Sequence, residues 1–303
     1  MSTLKDYTLA SIVHEAYVPF DGPISNNPDI YGTVLPTGSA PFDIANSTND
    51  RLIYEADVNP PNAPGGSWKM SFLASQGGPQ IKSNTTNWPG IGTTIHDGEY
   101  YHSVWLKFNQ LPTVNGFQIV YLAMRNYGFP GFRVNISGTD YGQGCNLYSN
   151  MTGGASTGIL FLSDVQVDTW YHIVHRKTTA TGDAHIFVNG VKVLTGSNED
   201  TDPSDVYDFQ YGATINANST QQLSFNFCHQ LTGNAIDLSD SAVLNLYNAG
   251  ITPPAAVYDV KHYDGTAWQQ SIGQKYWDGT DWVDWNAVAE PQRWDGAQWV
   301  NLL

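Results

Sequence analysis

Alternating apolar and polar side chains predict β-strands along most of the first 250 residues. The clearest run is Trp170–Thr178, in which successive side chains fall on opposite faces. The dipeptide Asn189-Gly190 follows, and it suits a two-residue hairpin turn because both of its positions accept positive φ angles. Residues 168–194 are therefore expected to form a three-stranded antiparallel meander.

The same pattern predicts further strands on both sides of this meander. The stretch Glu99–Met124 contains two runs with apolar groups on both faces, which is typical of central strands in a covered sheet. Shorter candidates are Asp29–Val34, Arg51–Ala56, Trp68–Ala74, Ile159–Leu162 and Leu223–Cys228. One short helix is expected, beginning with Ser239 or Asp240 as its cap and ended by Gly250 in the left-handed conformation.

Composition agrees with many short strands joined by turns. The chain of 303 residues contains 29 Gly and 16 Pro, and only 14% of its residues are charged. Its length is enough for one large β-sandwich and an appendage. We expect residues 21–252 to form the sandwich and 253–303 a separate module. Residues 1–20, which hold one apolar cluster at Leu9–Val13, are expected to be an arm or a first strand.

The C-terminal module contains three copies of one motif, which begin at Tyr263, Trp277 and Trp294. Each copy has an aromatic residue, an Asp-Gly turn, two further residues and a Trp, which predicts a tight hairpin whose aromatic residues meet across the strands. Because such hairpins have little core, we expect them to pack on one another, on the sandwich or on other subunits. The residues of this assembly interface would be Trp277, Trp282, Trp294 and Trp299. The units resemble short Trp-Asp-Gly repeats of phage structural and tail proteins.

Two stretches of the sandwich carry a second resemblance. Residues 170–174 read Trp-Tyr-His-Ile-Val before an Ile-Phe-Val-Asn-Gly-Val-Lys-Val hairpin at 186–193, and residues 246–250 read Leu-Tyr-Asn-Ala-Gly. In this order they resemble the laminin-G-like branch of the concanavalin A-like lectin and glucanase superfamily. The resemblance implies an all-β chain: a two-sheet antiparallel jelly-roll sandwich with one short helix, here followed by a small β-hairpin module. It implies no single activity, since the superfamily includes sugar-binding modules, hydrolases, lyases and virion domains.

Charge and targeting patterns exclude several classes of partner. The net charge of −15 and the scattered Lys and Arg residues argue against nucleic-acid binding. The sequence contains no run of about 18 apolar residues, so we expect no membrane insertion. No secretory signal is expected at the N-terminus. Cys145 and Cys228 have no metal-ligand spacing, so two interpretations stay open: two buried thiols, or a disulfide across the sandwich.

Potential glycosylation sequons bear on the expected location. They occur at Asn46, Asn84, Asn135, Asn150 and Asn218. They mark glycans in secreted proteins, or they arise by chance in a chain rich in Asn, Ser and Thr. A surface of extracellular style without an export signal is explained by a virus particle that leaves its host by lysis. We therefore expect the protein in a virion.

The acid–base patterns of the superfamily's enzymes are incomplete in this sequence. The hydrolases need two carboxylates on one strand, and only Glu55-Ala56-Asp57 approaches this before Pro60 breaks the strand. The lyases use a Gln-Ile-His strand, whereas Gln118-Ile119-Val120 has an apolar residue in place of the base. His172 and His175 fall on opposite faces of one strand, without a Ser, Cys or second His at a helpful spacing. We assign no catalytic residues.

Binding residues are better represented than catalytic ones. Sugar rings stack on Trp and Tyr while Asn and Asp bind the hydroxyl groups. The candidate carbohydrate-binding residues are Trp88, Tyr127, Tyr141, Asn146 and Tyr148; alternatively, these aromatics fill the core or a subunit interface. The acidic stretch 198–208 is either a solvated loop or a calcium site formed by Asp200, Asp202 and Asp205. No other cofactor is expected.

These patterns lead to one functional interpretation. We expect a non-catalytic structural or adhesive virion protein of a tailed phage, of the head-decoration or fibre type. Its expected partners are other virion proteins, copies of itself in a homotrimer, and a host surface glycan. The alternatives are a carbohydrate-binding module outside a virion and, less favoured, a polysaccharide-degrading enzyme.

Overall fold

A computed structural model shows two compact units, Met1–Pro254 and Ala255–Leu303. In the first unit it describes residues 3–14, 16–20, 22, 42–45, 52–63, 65–72, 80–83, 100–112, 117–125, 132–137, 145–149, 159–177, 183–197, 208–213 and 223–251. In the second unit it describes six strand segments, 261–263, 268–270, 275–277, 282–284, 292–294 and 299–301.

Strands make up most of the described chain. In chain order they are β1 (Ala16–Val18), β2 (Phe42–Ala45), β3 (Leu52–Glu55), β4 (Ser67–Phe72), β5 (Gln80–Ser83), β6 (Tyr100–Gln110), β7 (Phe117–Arg125), β8 (Phe132–Ser137), β9 (Asn146–Ser149), β10 (Ile159–Leu162), β11 (Trp170–Lys177), β12 (Asp183–Val188), β13 (Val191–Ser197), β14 (Asp208–Ala213), β15 (Leu223–Gly233), β16 (Lys261–Tyr263), β17 (Trp268–Gln270), β18 (Lys275–Trp277), β19 (Trp282–Asp284), β20 (Gln292–Trp294) and β21 (Trp299–Asn301). The described residues also include two α-helices, α1 (Leu4–Ser11) near the start and α2 (Asp240–Ile251) near the end of the first unit.

The first unit is a sandwich of two antiparallel sheets, which confirms the all-β jelly-roll prediction. The eight-stranded sheet has the order β13-β12-β11-β6-β15-β4-β3, and β1 pairs with β15 beyond the end of β4. The seven-stranded sheet has the order β10-β9-β8-β7-β14-β5-β2. Strands distant in sequence are therefore neighbours in both sheets, as jelly-roll connections require.

The strand predictions are confirmed wherever the structure describes them. The strand expected at Ile159–Leu162 has the same bounds in the structure, and the two runs within Glu99–Met124 are β6 and β7. β15 continues five residues past the predicted Cys228 because a register shift after that residue lets the chain resume pairing with β6. The candidate Asp29–Val34 lies outside the described residues.

The predicted meander is present as β11, β12 and β13. Its second turn has Asn189 at φ 51° and Gly190 at φ 78°, as a two-residue turn with two positive φ angles demands. A Cβ at position 190 would lie 2.9 Å from Leu244 Cδ1 of α2. Glycine is thus required at this turn both by its backbone conformation and by the helix packed over it.

Apolar side chains fill two layers. One layer lies between the two sheets and includes Trp68, Phe108, Ile173 and Phe225, each fully buried. The other lies on the outer face of the eight-stranded sheet, where both helices cover a set of large side chains that includes Tyr101, Trp105, Val174, Phe187, Leu238 and Leu246. The eight-stranded sheet is therefore covered on both faces.

The N-terminal segment corrects the prediction of a single helix. Residues 1–20 were expected as an arm or a first strand; β1 is that strand, but α1 precedes it and packs on α2. A reciprocal capping box between Thr3 and Asp6 begins α1. The Leu9–Val13 cluster is not a buried strand, because Leu9 and Val13 are 41% and 63% exposed.

Helix α2 confirms one terminal prediction and corrects the other. Ser239 caps it, since its hydroxyl oxygen accepts a hydrogen bond from the Ala242 amide at 3.2 Å. Gly250 does not end the helix in the left-handed conformation, because the helix continues to Ile251. Gly250 is buried against the Trp105 ring, so its role is to permit close packing of the helix on the sheet.

The two cysteines are free and buried, which decides between the two interpretations in favour of thiols. Cys145 lies in the layer between the sheets and Cys228 in the layer under the helices. Burial raises the pKa of the Cys145 thiol. Within the described residues, neither helix has the length and apolar character needed to cross a membrane.

Within its described residues, the second unit contains three two-stranded hairpins. The aromatic positions of each repeat stand opposite each other, as the motif predicts: Tyr263 and Trp268, Trp277 and Trp282, and Trp294 and Trp299. Residues two positions further from the turn are polar in all three hairpins, whereas Val283 and Val300 lie at the intervening positions. Each hairpin thus has one face that combines aromatic with polar residues.

Candidate functional site

The outer face of the seven-stranded sheet carries two of the predicted sugar-binding residues. Asn146 and Tyr148 alternate on β9 with Leu147, which is fully buried in the layer between the sheets. Because successive residues of a strand point to opposite faces, both lie on the side away from the core. Both are half-buried.

Register extends this surface across three strands. Asn135 on β8 and Leu160 on β10 both stand directly opposite Tyr148, and Leu160 is 46% exposed. Directly opposite residues share a face, so positions 135, 148 and 160 are neighbours on one face at the edge of the sheet. We call Asn135, Tyr148 and Leu160 the outer-face row.

Asn146 is partly committed to the local structure. Its Oδ1 atom accepts a hydrogen bond from the Asp164 amide at 3.2 Å. Asp164 has a φ of 54°, so this bond supports a left-handed turn in the segment that follows β10. The side chain therefore positions the loop beside Tyr148, a role that spacing along the chain did not reveal.

Several predicted site residues lie outside the described residues. These are the sugar-binding candidates Trp88, Tyr127 and Tyr141 and the calcium candidates Asp200, Asp202 and Asp205. Among the residues that are described, no group of three His, Cys, Asp or Glu side chains could hold a metal ion. For the module, the structure places the backbones of Trp277, Trp282, Trp294 and Trp299 as cross-strand pairs.

A serine–histidine pair lies under the helices, and sequence spacing did not predict it. Ser103 Oγ and His172 Nε2 are 2.7 Å apart because β6 and β11 are neighbouring strands. The His172 ring stacks at 4.9 Å on Trp105, which in turn stacks at 5.8 Å on Tyr247 of α2. Within the described chain, His172 Nδ1 has no hydrogen-bond partner.

This pair is built for packing and not for nucleophilic catalysis. Ser103 and His172 are both buried, so a substrate has no access to them. Burial, followed by the charge of His229, lowers the pKa of His172 to about 3. A general base works best with a pKa near the working pH. The hydrogen bond therefore satisfies a buried ring nitrogen and fixes the stack beneath α2.

The carboxylates nearest to the hydrolase pattern are also structural. Glu55 ends β3, so Asp57 falls in the following turn and the two do not share a strand. Glu55 Oε1 lies 3.1 Å from Lys69 Nζ, and its Oε2 accepts a hydrogen bond from Asn226 at 2.9 Å. In the lyase-like stretch, Val120 is fully buried between the sheets, where a histidine base could not meet substrate.

Comparison with known proteins extends the fold assignment. No protein-family model and no curated protein sequence matches the chain. Among solved structures it is similar to domain 4 of an extracellular GH43 arabinanase from Geobacillus stearothermophilus in complex with arabinotriose, with a TM-score of 0.51, 15% identity, and coverage of 78% of this chain and 98% of that one.

Binding domains of botulinum neurotoxins are similar to it as well. The DC domain in complex with rat synaptotagmin II has a TM-score of 0.55 and 11% identity over 78% of this chain. The type C toxin, whose cell entry depends on two ganglioside molecules, has a TM-score of 0.51 and 11% identity over 80% of this chain. The chain spans about half (52%) of each toxin domain. These structures share the β-sandwich fold with this protein.

Proposed function

We propose that the sandwich is a non-catalytic glycan-binding domain whose binding surface is the outer face of the seven-stranded sheet around β8, β9 and β10. The observation that carries this proposal is the outer-face row, in which Asn135, Tyr148 and Leu160 adjoin at an exposed sheet edge. An aromatic ring and an aliphatic group suit the apolar face of a sugar ring, and the amide of an Asn at a neighbouring position suits its hydroxyl groups.

The similar structures support the same proposal. One of them is described with a bound arabinose oligosaccharide and another by its need for gangliosides. At 11–15% identity they share only the fold, so the residues of this chain must account for any binding. Tyr148 is the residue with which the proposal is best tested.

Replacing Tyr148 tests the surface directly. Tyr148→Ala should weaken binding to the best ligand of a glycan array at least tenfold, because the sugar loses its stacking partner, whereas Tyr148→Phe should stay within about threefold of the parent. Binding constants come from calorimetry on the full-length chain, and urea unfolding confirms that both variants are folded. Equal affinity in the parent and in a folded Tyr148→Ala variant would reject this surface.

The biological setting that we propose is a tailed-phage particle, in which the protein is a decoration or fibre-type adhesin. The Trp-Asp-Gly repeats motivate this setting, and homotrimerisation through them would present several glycan sites at once. A carbohydrate-binding module outside a virion is the second candidate, supported by the similarity to a domain of an arabinanase. Immunogold labelling of released particles with an antibody to this chain distinguishes the two.

A further inference from the structure

A lysine and an asparagine are direct neighbours on the outer face of the eight-stranded sheet. Asn226 of β15 stands opposite Lys69 of β4. Both alternate along their strands with residues of the layer between the sheets, so their side chains share the outer face. Directly opposite positions of neighbouring strands bring the two Cβ atoms to about 5 Å from each other. The amine of Lys69 is therefore close to the side-chain amide of Asn226.

Glu55 of β3 connects these two side chains. Its Oε1 atom lies 3.1 Å from Lys69 Nζ, and its Oε2 atom accepts a hydrogen bond from Asn226 Nδ2 at 2.9 Å. One carboxylate thus contacts the amine nitrogen with one oxygen and the amide nitrogen with the other. A carboxylate in this position can take a proton from the amine and give it to the amide nitrogen.

Hydrogen bonds also fix the orientation of the Asn226 amide. Its Nδ2 donates a second bond to Ser67 Oγ at 2.8 Å, and its Oδ1 accepts one from Asn109 Nδ2 at 2.6 Å. Rotating the amide by half a turn would direct its oxygen at the Glu55 carboxylate, so its partners determine which atom is the nitrogen. Asn109 therefore donates to the oxygen on which negative charge develops when an amine adds to the amide carbon.

Burial keeps water away from the same group. Asn226 is fully buried, and the side chains of Lys69 and Glu55 are only 28% and 24% exposed. Water is the nucleophile that would otherwise compete with the amine for the amide carbon. The three side chains thus combine a nucleophile, a proton carrier and a shielded acceptor group.

We propose that the protein joins Lys69 to Asn226 by an intramolecular isopeptide bond, with Glu55 as the catalytic residue. Glu55 accepts a proton from the Lys69 ammonium, and the free amine nitrogen attacks Cγ of Asn226. The bond between Cγ and Nδ2 breaks as the Glu55 carboxyl group gives its proton to Nδ2, which leaves as ammonia. The surplus proton on the new amide nitrogen passes through Glu55 to the ammonia. The products are one amide bond and one ammonium ion, so the step needs no oxidant and no cofactor.

The bond gives the sandwich a covalent connection between β4 and β15. It joins residues that are far apart in the chain, so it restricts the unfolded chain as a long-range disulfide does. The reaction happens once in each chain and acts on no external substrate. It is also independent of glycan binding, because the outer-face row lies on the other sheet.

Lys107 of β6 provides an internal comparison. It stands opposite Asn226 on the other side of β15. Its ion pair, at 3.5 Å, is with Asp168, a residue of the turn before β11 whose side chain is 75% exposed. The carboxylate that contacts Asn226 is that of Glu55, which holds Lys69. We therefore expect the bond at Lys69 and not at Lys107.

Intact-mass spectrometry of the purified full-length chain tests the proposal. The mass should be lower than the calculated mass by one ammonia, about 17 Da. Protease digestion and fragmentation should then give a branched peptide that joins residues 69 and 226. A succinimide at an Asn-Gly dipeptide would lose the same mass, but hydroxylamine cleaves the chain there and leaves an isopeptide bond intact.

Three variants separate the roles of the side chains. Lys69→Arg retains a cation beside Glu55 but has no amine to attack the amide, so it should have the full calculated mass. Glu55→Gln cannot accept the proton and should slow bond formation at least about a hundredfold. Lys107→Arg is the matched control and should form the bond as the parent does. Urea unfolding establishes that each variant is folded.

Two results would overturn the proposal. One is a parent chain that has its full calculated mass both after purification and after several days of incubation. The other is a branched peptide that contains Lys107 instead of Lys69. Bond formation at the parent rate in a folded Glu55→Gln variant would reject Glu55 as the catalytic residue.

Discussion

Asn189 shows why one residue identifies the central hairpin. Its amide donates a hydrogen bond to the His172 carbonyl at 2.8 Å, and its side-chain oxygen accepts one from the His172 amide at 2.9 Å. Asn189 is in the left-handed conformation, and its side-chain oxygen serves as the acceptor for the amide of β11. The sequence predicts the turn because two adjacent residues that accept positive φ angles are enough to favour it, whereas the bonds to His172 follow from strand pairing.

Gly250 is the opposite case, and it yields a stability prediction. A Cβ at this position would lie closer to Trp105 Cζ2 than a normal carbon–carbon contact permits. Gly250→Ala should therefore destabilise the sandwich by about 1–3 kcal/mol, although helix propensity alone favours alanine by about 1 kcal/mol. Urea unfolding monitored by tryptophan fluorescence provides the measurement.

The control for this substitution is Gly22→Ala, because a Cβ there meets no atom within 4 Å. Its effect should stay within about 0.5 kcal/mol. If Gly250→Ala were as stable as the parent, α2 would pack less tightly on Trp105 than the structure shows.

Contacts between residues far apart in the chain are what the sequence cannot predict. Gly250 has the spacing of a helix C-cap, but its contact with Trp105 depends on a strand more than a hundred residues earlier. Likewise Ser103 and His172 become partners only because β6 pairs with β11. Local turn and cap chemistry predicted the backbone turn at Asn189 and the helix cap at Ser239, because neighbouring residues set both.

Among the elements, β11 is covered on both of its faces. Tyr171–Lys177 are all buried, with His172 on the helix side and His175 on the side between the sheets. His175 stands opposite His102 of β6. Burial lowers the pKa of His102 to about 3 and that of His175 well below its usual value, the latter with further lowering by the charges of His102, His185 and Lys177. The same strand thus places uncharged imidazoles in both apolar layers.

These histidines should make the sandwich sensitive to mild acid. Below pH 6.5 these histidines bind protons in the unfolded chain but stay neutral in the folded chain. The free energy of unfolding therefore falls as the pH drops from about 6.5 towards 3. Each fully buried histidine lowers the free energy of unfolding by up to about 1.4 kcal/mol for every pH unit of acidification. His102, His172 and His175 together give a slope of up to about 4 kcal/mol per pH unit. Midpoints of urea unfolding measured between pH 7.5 and 5 provide the test, because this interval lies above the pKa of most carboxyl groups.

The variant His172→Phe separates one histidine from the others. Phenylalanine retains a ring between Trp105 and Tyr247 but leaves the Ser103 hydroxyl without its partner. We expect a loss of about 1–3 kcal/mol at pH 7.5 and a pH slope about one third shallower than that of the parent. A parent slope near zero between pH 6.5 and 5 would show that these imidazoles ionise within the folded protein.

Helix α1 was missed although its start is visible in the sequence. Thr3 and Asp6 have the spacing of a capping box, and both of its hydrogen bonds are present. An eight-residue helix has little stability alone, so its formation depends on packing of Leu4 and its neighbours against α2. The alternating strands were easier to predict because their burial pattern is written into each strand itself.

For the molecule as a whole, the two described helices both pack on the eight-stranded sheet. Helices α1 and α2 close the outer face of the eight-stranded sheet over Tyr101, Trp105 and Val174. The outer-face row lies on the other sheet, at an edge where Leu160 is exposed. The sequence suggested Tyr148 and Asn146 because the stretch Asn126–Asn150 is rich in aromatic and amide residues, although it was interpreted as a loop and contains β8 and β9. It could not predict that Asn135 and Leu160 adjoin Tyr148, since that follows from the order of β8, β9 and β10.

The C-terminal unit provides the prediction about assembly. Three hairpins of three-residue strands bury little surface individually, and we propose that aromatic pairs such as Trp277 with Trp282 and Trp294 with Trp299 pack between chains. We expect the full chain of 33.3 kDa to have the native mass of a trimer and a chain ending at Pro254 to have that of a monomer.

In the full chain, the double variant Trp282→Ala with Trp299→Ala should weaken the trimer, whereas Leu244→Ala on the exposed side of α2 should leave it intact. Native mass spectrometry gives the masses. Calorimetry should find the same glycan affinity per site in the full chain and in the chain ending at Pro254, because joining sites in a trimer raises only the avidity for multivalent surfaces. A monomeric full chain, or a shortened chain of unchanged stoichiometry, would show that these aromatic pairs have another role.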